Sequence, residues 1–341
     1  MVTLGTDTHK ASHTIVAVDS NGRKLGERTV VATSAGHLQA LQWAGQWPER
    51  TWAIEDCRHL SRRLEADLLR AGERLVRVPP RLMAGARRSS RVPGKSDPID
   101  ALAVARAALR EGDLPSAALD GPEREVRLLL DHRDDLVAER TRMQNRLRWH
   151  VHELDPAMAP PRRGLDRKRV LAELARQLAE LPGVVARLAR ELVVRIAALT
   201  ASIDSLEREI GQLVRPLAPT LLALLGCGVL TAAKLIGETA DVRRFRSRAA
   251  YARHNGTAPV PVWSGNTQRV RLNRGGNRQL NAALHRIAVT QLQQHGPGHA
   301  YVQHRITAGD TKTEAIRALR RRLSDEVYRR LLTDAHATPL T

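Results

Sequence analysis

Four acidic residues have the types and the spacing of a metal-ion site. Asp7 and Glu55 each close a short apolar run that predicts a strand, and Asp97 and Asp100 stand three residues apart where a helix should begin. Residues three apart share one helix face, and neighbouring strands can end at one edge of a sheet. Converging carboxylates can hold a pair of Mg²⁺ ions about 4 Å apart, which activate an attacking oxygen and stabilise a leaving one. Without metal they would repel one another, so we expect raised pKa values or disorder.

A serine in the C-terminal part of the chain is a second candidate for chemistry. Ser264 precedes a glycine in a segment rich in Pro and Gly, where a serine taken alone is a turn residue. A serine hydroxyl can also attack a phosphodiester and form a phosphoserine bond, provided that cations surround the phosphate. Nearby arginines could supply that charge, namely Arg269, Arg271, Arg274 and Arg278.

The charge balance predicts a polyanionic partner. Lys and Arg outnumber Asp and Glu by 55 to 36, which gives a formal net charge of +19. Such a balance favours nucleic-acid binding with steep salt dependence. Aromatic residues make up only 3% of the chain, so a base-stacking platform is not expected. Two cysteines are too few for a disulfide framework or a zinc site. No apolar run reaches the roughly 18 residues of a membrane span, and the first residues lack a signal-peptide pattern, so we expect a cytoplasmic protein.

Residues 1–115 alternate between strand and helix patterns. The expected strands cover 2–6, 13–18, 24–32, 51–54 and 74–78, and the expected helices cover 35–47, 60–71 and a segment capped by Ser96 that runs to 109. A turn signal at Asp19–Gly22 joins the second and third strands as a hairpin. This order is typical of an α/β domain of the RNase H-like class.

Residues 116–216 carry helix patterns only. A long charged helix is expected over 123–154, prolines interrupt it at 156–164, and a second helical block follows from Leu171. Apolar residues recur every seven positions in that block, namely Ile196, Ile203 and Ile210 with Leu199, Leu206 and Leu213. This spacing predicts a coiled-coil seam. The seam could pair within the chain or between chains, and we favour a helical hairpin that also helps the protein to dimerise.

Residues 217–335 are expected to form a mainly α-helical third unit. Gly226-Cys227-Gly228 lies between two apolar helix patterns and resembles a helix-hairpin-helix motif, whose exposed amides suit a phosphate. The segment 255–277, which contains Ser264, is expected to be irregular. Helices are expected over 249–252, 278–294 and 312–332.

The basic segment 81–94 precedes the helix of Asp97 and is expected to be a mobile loop that orders on nucleic acid. It could equally be a disordered surface loop. The side chains expected to contact nucleic acid are Lys10, Arg87, Arg88, Arg91, Lys95, Arg269, Arg271, Arg274, Asn277 and Arg278.

Taken together, these motifs resemble those of the IS110-type transposases, also called DEDD transposases or bridge-RNA-guided recombinases, which include the Piv-like invertases. The segments that carry the resemblance are Gly5–Lys10, Ile54-Glu55, Lys95–Ala101, Leu225–Ile236, Tyr251–Pro259, Trp263-Ser264-Gly265 and Gly276–Leu280. The family commonly has Tyr-Ala-Gly-Leu-x-Pro where this chain has Tyr251–Pro259. The chain therefore departs from the family pattern at Arg253–Gly256, while Ser264 is not displaced.

The resemblance implies a mechanism that goes beyond the residues themselves. The family's acidic tetrad, which maps to Asp7, Glu55, Asp97 and Asp100, binds Mg²⁺ in a RuvC-like domain. It works together with a serine, here Ser264, that attacks DNA and holds it covalently. A structured RNA pairs with both donor and target DNA. The active assembly is multimeric, and one site can combine two protomers.

The sequence is therefore interpreted as an RNA-guided, site-specific DNA recombinase of a mobile element. We expect a dimer or tetramer, in the bacterial cytoplasm, associated with the nucleoid when active. Two alternatives remain open. One is a RuvC-like metal-dependent nuclease in which water, rather than Ser264, attacks the DNA. The other is a non-catalytic nucleic-acid-binding relative, against which the complete tetrad argues.

Overall fold

A five-stranded mixed sheet organises the N-terminal part of the protein. Its strands are β1 (Val2–Thr8), β2 (Ser12–Val18), β3 (Lys24–Val31), β4 (Arg50–Glu55) and β5 (Leu75–Val78). They are arranged in the order β3-β2-β1-β4-β5, with β1 antiparallel to β2, and β4 parallel to both β1 and β5. This is the topology of the RNase H-like class, so the predicted fold of this part is confirmed.

The computed structural model describes residues 1–79, 82, 96–111, 114, 116–117, 119–264, 267–271, 273 and 275–337. These form two compact units, Met1–Asp120 and Gly121–Thr341. The predicted boundary at residue 115 lies near the division between them. The predicted boundary at 216 stays a prediction, because the helices before and after it contribute to one hydrophobic core.

Three helices cover the two faces of the sheet, and they are α1 (Ser34–Ala44), α2 (Arg58–Arg70) and α3 (Asp97–Arg110). Leu4 of β1 and Leu64 of α2 belong to the core on one face, whereas Val16 of β2 and Ala105 of α3 pack on the other. Helix α1 ends three residues before its predicted end. Ser96 precedes α3 as predicted, although its side chain makes no capping hydrogen bond.

Helix α3 lies against β1 at backbone distance, and Gly5 permits this. A Cβ atom at Gly5 would lie 2.2 Å from the carbonyl oxygen of Ala101 and 2.4 Å from the amide nitrogen of Ala105. Any side chain at this position would push α3 away from the sheet. The placement of Asp97 and Asp100, in the first turn of α3, therefore depends on the glycine at position 5 of β1.

The second unit contains the following helices and strands in chain order: α4 (Pro122–Leu154), α5 (Lys168–Ala179), α6 (Val184–Leu217), α7 (Pro219–Leu222), α8 (Val229–Thr239), α9 (Arg248–His254), β6 (Val260–Ser264), β7 (Thr267–Arg271), α10 (Arg278–Gln293), α11 (Pro297–Thr307) and α12 (Lys312–Ala337). Most of this unit is helical, as predicted. Helix α11 lies in a segment for which no element was predicted.

The long helices α4 and α6 pack along each other within the chain. Arg133 of α4 donates hydrogen bonds to Glu207 of α6 at 2.6 and 2.9 Å, and Arg195 of α6 donates to Glu139 of α4 at 2.6 and 3.0 Å. Four apolar residues of the predicted seam are buried, namely Ile196, Leu199, Ile203 and Ile210. Helices α4 and α6 therefore pair within one chain, while the coiled-coil seam and its part in dimerisation stay predictions.

The C-terminal helices surround a core to which α8, α10 and α12 contribute, including Leu235, Leu284 and Val327. The segment 255–277 was predicted to be irregular, and that prediction was wrong for Val260–Ser264 and Thr267–Arg271, because β6 and β7 form an antiparallel hairpin there. Among the described residues, no helix is long and apolar enough to cross a membrane.

Gly5→Ala should destabilise the protein by about 3 kcal/mol, because the added methyl group meets the backbone of α3. Gly26→Ala is the matched control in the same sheet, since its Cβ would meet nothing closer than an atom of Trp43 at 3.4 Å. Urea unfolding of the two variants measures the difference. Equal unfolding free energies in both variants would contradict the proposed close packing of β1 and α3.

Candidate active site

A cluster of three side chains lies where β1 ends and α3 begins. Asp7 belongs to β1, Asp97 is the first residue of α3, and His9 directly follows β1. The Nε2 atom of His9 lies 3.1 Å from Oδ2 of Asp7 and 3.4 Å from Oδ1 of Asp97. The strand and the helix thus bring two of the four predicted carboxylates together. They lie on the face of β1 that packs against α3 at Gly5.

The other two predicted carboxylates belong to the neighbouring elements. Asp100 is buried, one turn after Asp97 in α3. Glu55 is the last residue of β4, and β4 runs parallel to β1 with Ile54 opposite Thr6, so Glu55 stands at the same edge as Asp7. All four carboxylates therefore belong to elements that meet at the C-terminal ends of β1 and β4.

The surroundings of Asp7 disfavour its charge. Burial raises the pKa of Asp7, and the nearby carboxylates of Asp100 and Asp97 raise the pKa further, while His9 acts in the opposite direction. Repulsion among the carboxylates therefore contributes to the raised pKa of Asp7, although burial is its largest cause. A divalent cation bound here would offset the repulsion among these carboxylates and favour the ionised form of Asp7.

The donor set fits a divalent metal ion. The ligand atoms of Asp7, His9 and Asp97 all lie within 4.8 Å of one another. Carboxylate oxygens are the ligands that Mg²⁺ prefers, and imidazole nitrogen is accepted by several transition metals. This group of carboxylates is a local patch of negative charge in a protein with a net charge of +19.

Sequence reasoning overlooked His9 as part of the site. The signal was available, because residues two apart on a strand point to the same face, and His9 follows Asp7 at that spacing. Sγ of Cys57 lies 3.1 Å from Oγ1 of Thr8, and burial raises the pKa of this thiol, so it stays protonated at neutral pH as a structural thiol does.

Ser264 is the last residue of β6 and stands at the tip of the hairpin, with its backbone in register with Thr267 of β7. Arg269 and Arg271 belong to β7, where they pair in register with Val262 and Val260. The serine and two of the predicted arginines therefore share one two-stranded element.

The base of this hairpin is held by close backbone contacts. A Cβ atom at Gly276 would lie 2.3 Å from the backbone nitrogen and Cα of Gly256. The amide of Asn277 donates a hydrogen bond of 2.7 Å to the carbonyl oxygen of His254. The buried side chain of Asn255 donates to Oγ of Ser324 in α12 at 2.8 Å and accepts from Thr257. The segment preceding the hairpin is thus anchored in the helical core.

The predicted nucleic-acid contacts remain predictions. Lys10 and Arg278 are exposed, as such contacts require. Asn277 caps α10, since its side-chain oxygen accepts from the amides of Gln279 and Leu280 and its amide donates to Glu238 at 2.6 Å. The basic segment 81–94, with Arg87, Arg88 and Arg91, lies outside the described residues except for Leu82, as do Lys95 and Arg274.

Comparisons with known proteins bear on the whole chain. Residues 4–156 match a transposase family model of the IS110 DEDD type, and residues 218–303 match the transposase model of the IS116/IS110/IS902 family. An uncharacterized 44.8 kDa protein of insertion element IS116 from Streptomyces clavuligerus is 29% identical over 98% of this chain and 96% of its own length. An uncharacterized 42 kDa protein of insertion element IS900 from Mycobacterium paratuberculosis is 28% identical over 100% of this chain and 98% of its own length.

Among solved structures, RuvC of Thermus thermophilus in complex with a Holliday junction substrate is similar to 34% of this chain and 99% of its own, with 16% identity and a TM-score of 0.28. The assignment to a family does not depend on this similarity. Two models of one transposase family and relatives aligned along the whole chain agree, so the chain belongs to the IS110/IS116 family of insertion-element transposases and is an enzyme that acts on DNA.

Proposed function

We propose that this transposase cuts and rejoins DNA through a covalent bond to Ser264, with help from divalent metal bound by Asp7, Glu55, Asp97 and Asp100. The observation that carries the proposal is the convergence of Asp7 and Asp97, with a raised pKa at Asp7, at the edge where β4 and α3 also present their carboxylates. Mg²⁺ is the proposed ion, in a pair about 4 Å apart, since carboxylate oxygens suit it.

The metal would supply positive charge for the scissile phosphate and its leaving oxygen. The residues of this chain hold that charge in place. Asp7 and Asp97 offer oxygens from a strand and a helix that Gly5 keeps in close contact. Asp100 adds negative charge one turn further along α3, and Glu55 ends the neighbouring strand β4. A rigid support of this kind favours catalysis, because the site need not reorganise during the reaction.

In the proposed cutting step, Oγ of Ser264 forms a bond to phosphorus while the bond between phosphorus and the leaving DNA oxygen breaks. The hydroxyl proton leaves Ser264, and the leaving oxygen takes up a proton. In the joining step, a DNA hydroxyl attacks the phosphoserine and releases Ser264. Arg269, Arg271, Arg274 and Arg278 are proposed to neutralise the phosphate, which is supported by the occurrence of two of them on the strand that pairs with β6.

Recognition of donor and target DNA is proposed to rely on a structured guide RNA that pairs with both. The charge of +19 and the low aromatic content support a protein that grips backbones rather than reads bases. We propose a dimer or tetramer, in which the hairpin of α4 and α6 also helps the protein to dimerise, at the nucleoid of the bacterial cytoplasm. The turn at Gly226–Gly228 is proposed to act as a helix-hairpin-helix contact with phosphate.

Asp7→Asn should raise the melting temperature of the metal-free protein at neutral pH and abolish the stabilisation by Mg²⁺. Because burial raises the pKa of Asp7 above 3.8, the ionised carboxylate costs stability once the pH exceeds the folded-state pKa, and this cost is absent below the unfolded-state pKa. The benefit of Asn should therefore shrink as the pH falls toward about 4. Thermal unfolding with and without excess Mg²⁺ measures both effects.

Glu49→Gln is the matched control for Asp7→Asn, since the side chain of Glu49 is 86% exposed and outside the cluster. It should leave the response to Mg²⁺ unchanged. A wild-type protein that no divalent ion stabilises, or an Asp7→Asn variant that responds as the wild type does, would argue against the metal site.

Ser264→Ala should lower the yield of a protein–DNA adduct by on the order of a thousandfold or more, because the nucleophile is removed. The measurement is a denaturing gel of purified protein and its copurified RNA with labelled donor and target DNA in Mg²⁺. Ser202→Ala on the exposed surface of α6 is the control and should keep the adduct. Free cleaved ends in wild type and Ser264→Ala alike, without an adduct, would point to a nuclease that uses water.

Gly276→Ala should destabilise the base of the hairpin by about 1–3 kcal/mol and reduce adduct formation, because its Cβ would overlap the backbone of Gly256. The neighbouring variant Gly275→Ala should behave as the wild type, since its Cβ would meet nothing closer than Oδ1 of Asn273 at 3.6 Å. Stabilisation by Mg²⁺ should be unchanged in both. Equal adduct yields in the two variants would show that the hairpin base does not position Ser264.

A further inference from the structure

The side chain of His9 contacts two of the four acidic residues of the proposed metal site, although it is not one of the four. His9 directs one atom, Nε2, at carboxylate oxygens from two different elements, at 3.1 Å from Asp7 in β1 and 3.4 Å from Asp97 in α3. A single Nε2–H donates along one direction, so one hydrogen bond explains one of these contacts well and the other poorly. Of the two contacts, the one with Asp7 has the geometry of a hydrogen bond.

The same three atoms have the spacing of neighbouring ligands around one ion. In an octahedral site with bonds of about 2.1 Å, adjacent ligand atoms lie roughly 3.0 Å apart. The measured edges of 3.1 and 3.4 Å are close to this value, and all three atoms lie within 4.8 Å of one another. Two carboxylates and a neutral imidazole would also balance the charge of one divalent ion.

The position of His9 is set by the backbone. Its amide donates a hydrogen bond of 2.9 Å to the carbonyl oxygen of Ser12, which closes the short connection between β1 and β2. The ring is about half exposed, and among the described residues its Nδ1 has no hydrogen-bond partner. Water can therefore stabilise the tautomer that carries the proton on Nδ1, which leaves the lone pair of Nε2 free to bind a metal.

We propose that His9 is an additional ligand of the metal ion through Nε2, between Asp7 and Asp97, and that it biases the site toward Mn²⁺ relative to Mg²⁺. The inference rests on the proposed function, because it adds a nitrogen to the proposed carboxylate site. Mg²⁺ favours oxygen ligands in a strict octahedron, whereas imidazole suits transition metals, so one nitrogen shifts the preference without excluding Mg²⁺.

The test uses the full chain and Mn²⁺ itself, observed by pulsed electron paramagnetic resonance. Nitrogen of a coordinated imidazole should modulate the Mn²⁺ echo of the wild type, and His9→Gln should lose this modulation while it still binds Mn²⁺. Gln offers an amide oxygen in place of the nitrogen. The dissociation constant for Mn²⁺ should therefore rise on the order of tenfold in His9→Gln, with a smaller change for Mg²⁺. His132→Gln, on the exposed face of α4, should retain the modulation.

The outcomes distinguish a failure of the role of His9 from a failure of the proposed metal site. Mn²⁺ that binds the wild type without nitrogen modulation, or modulation that persists in His9→Gln, would overturn the role of His9 and leave the carboxylate site intact. If Asp7→Asn binds Mn²⁺ as tightly as the wild type does, both the role of His9 and the proposed metal site are wrong.

Discussion

The contact between the backbone of α3 and the backbone of β1 is the constraint on which the candidate metal site depends. A strand and a helix are normally separated by their side chains, but at Gly5 a backbone atom of the helix lies 2.2 Å from where a Cβ would be. That approach brings the first turn of α3, with Asp97 and Asp100, to the end of β1, where Asp7 is. A substitution of Gly5, which has no side chain, would therefore alter the site, as a substitution of one of the carboxylates would.

This contact has an electrostatic cost. It buries Asp7 beside two other carboxylates, and both the burial and the neighbours raise the pKa of Asp7. Most other charges of the molecule are positive, yet the described side chain nearest to Asp7 and Asp97 is His9 rather than a lysine or arginine. A permanent cation at this position would neutralise the carboxylates and compete with metal. An imidazole can remain neutral and hold the position without that competition.

The sequence predicts the N-terminal part well, because local patterns and the final contacts agree there. Each strand of the sheet lies within a residue or two of its expected bounds, and the turn at Asp19–Gly22 and the helix start at Ser96 carry their own signals. The role of Gly5 has no local signal, since it depends on a helix about 100 residues away. The hairpin of β6 and β7 was missed because Pro261 and the surrounding glycines are typical of irregular chain.

That hairpin poses a different structural problem from the sheet. Two strands alone are marginally stable, so the position of Ser264 must be fixed by whatever holds the base. Here the base is held by the approach of Gly276 to Gly256 and by Asn255, whose side chain is buried and bonded to Ser324. These contacts begin in Arg253–Gly256, where the chain departs from the motif common in its family. Two of the residues in this stretch, Asn255 and Gly256, therefore supply contacts that support the strand carrying Ser264.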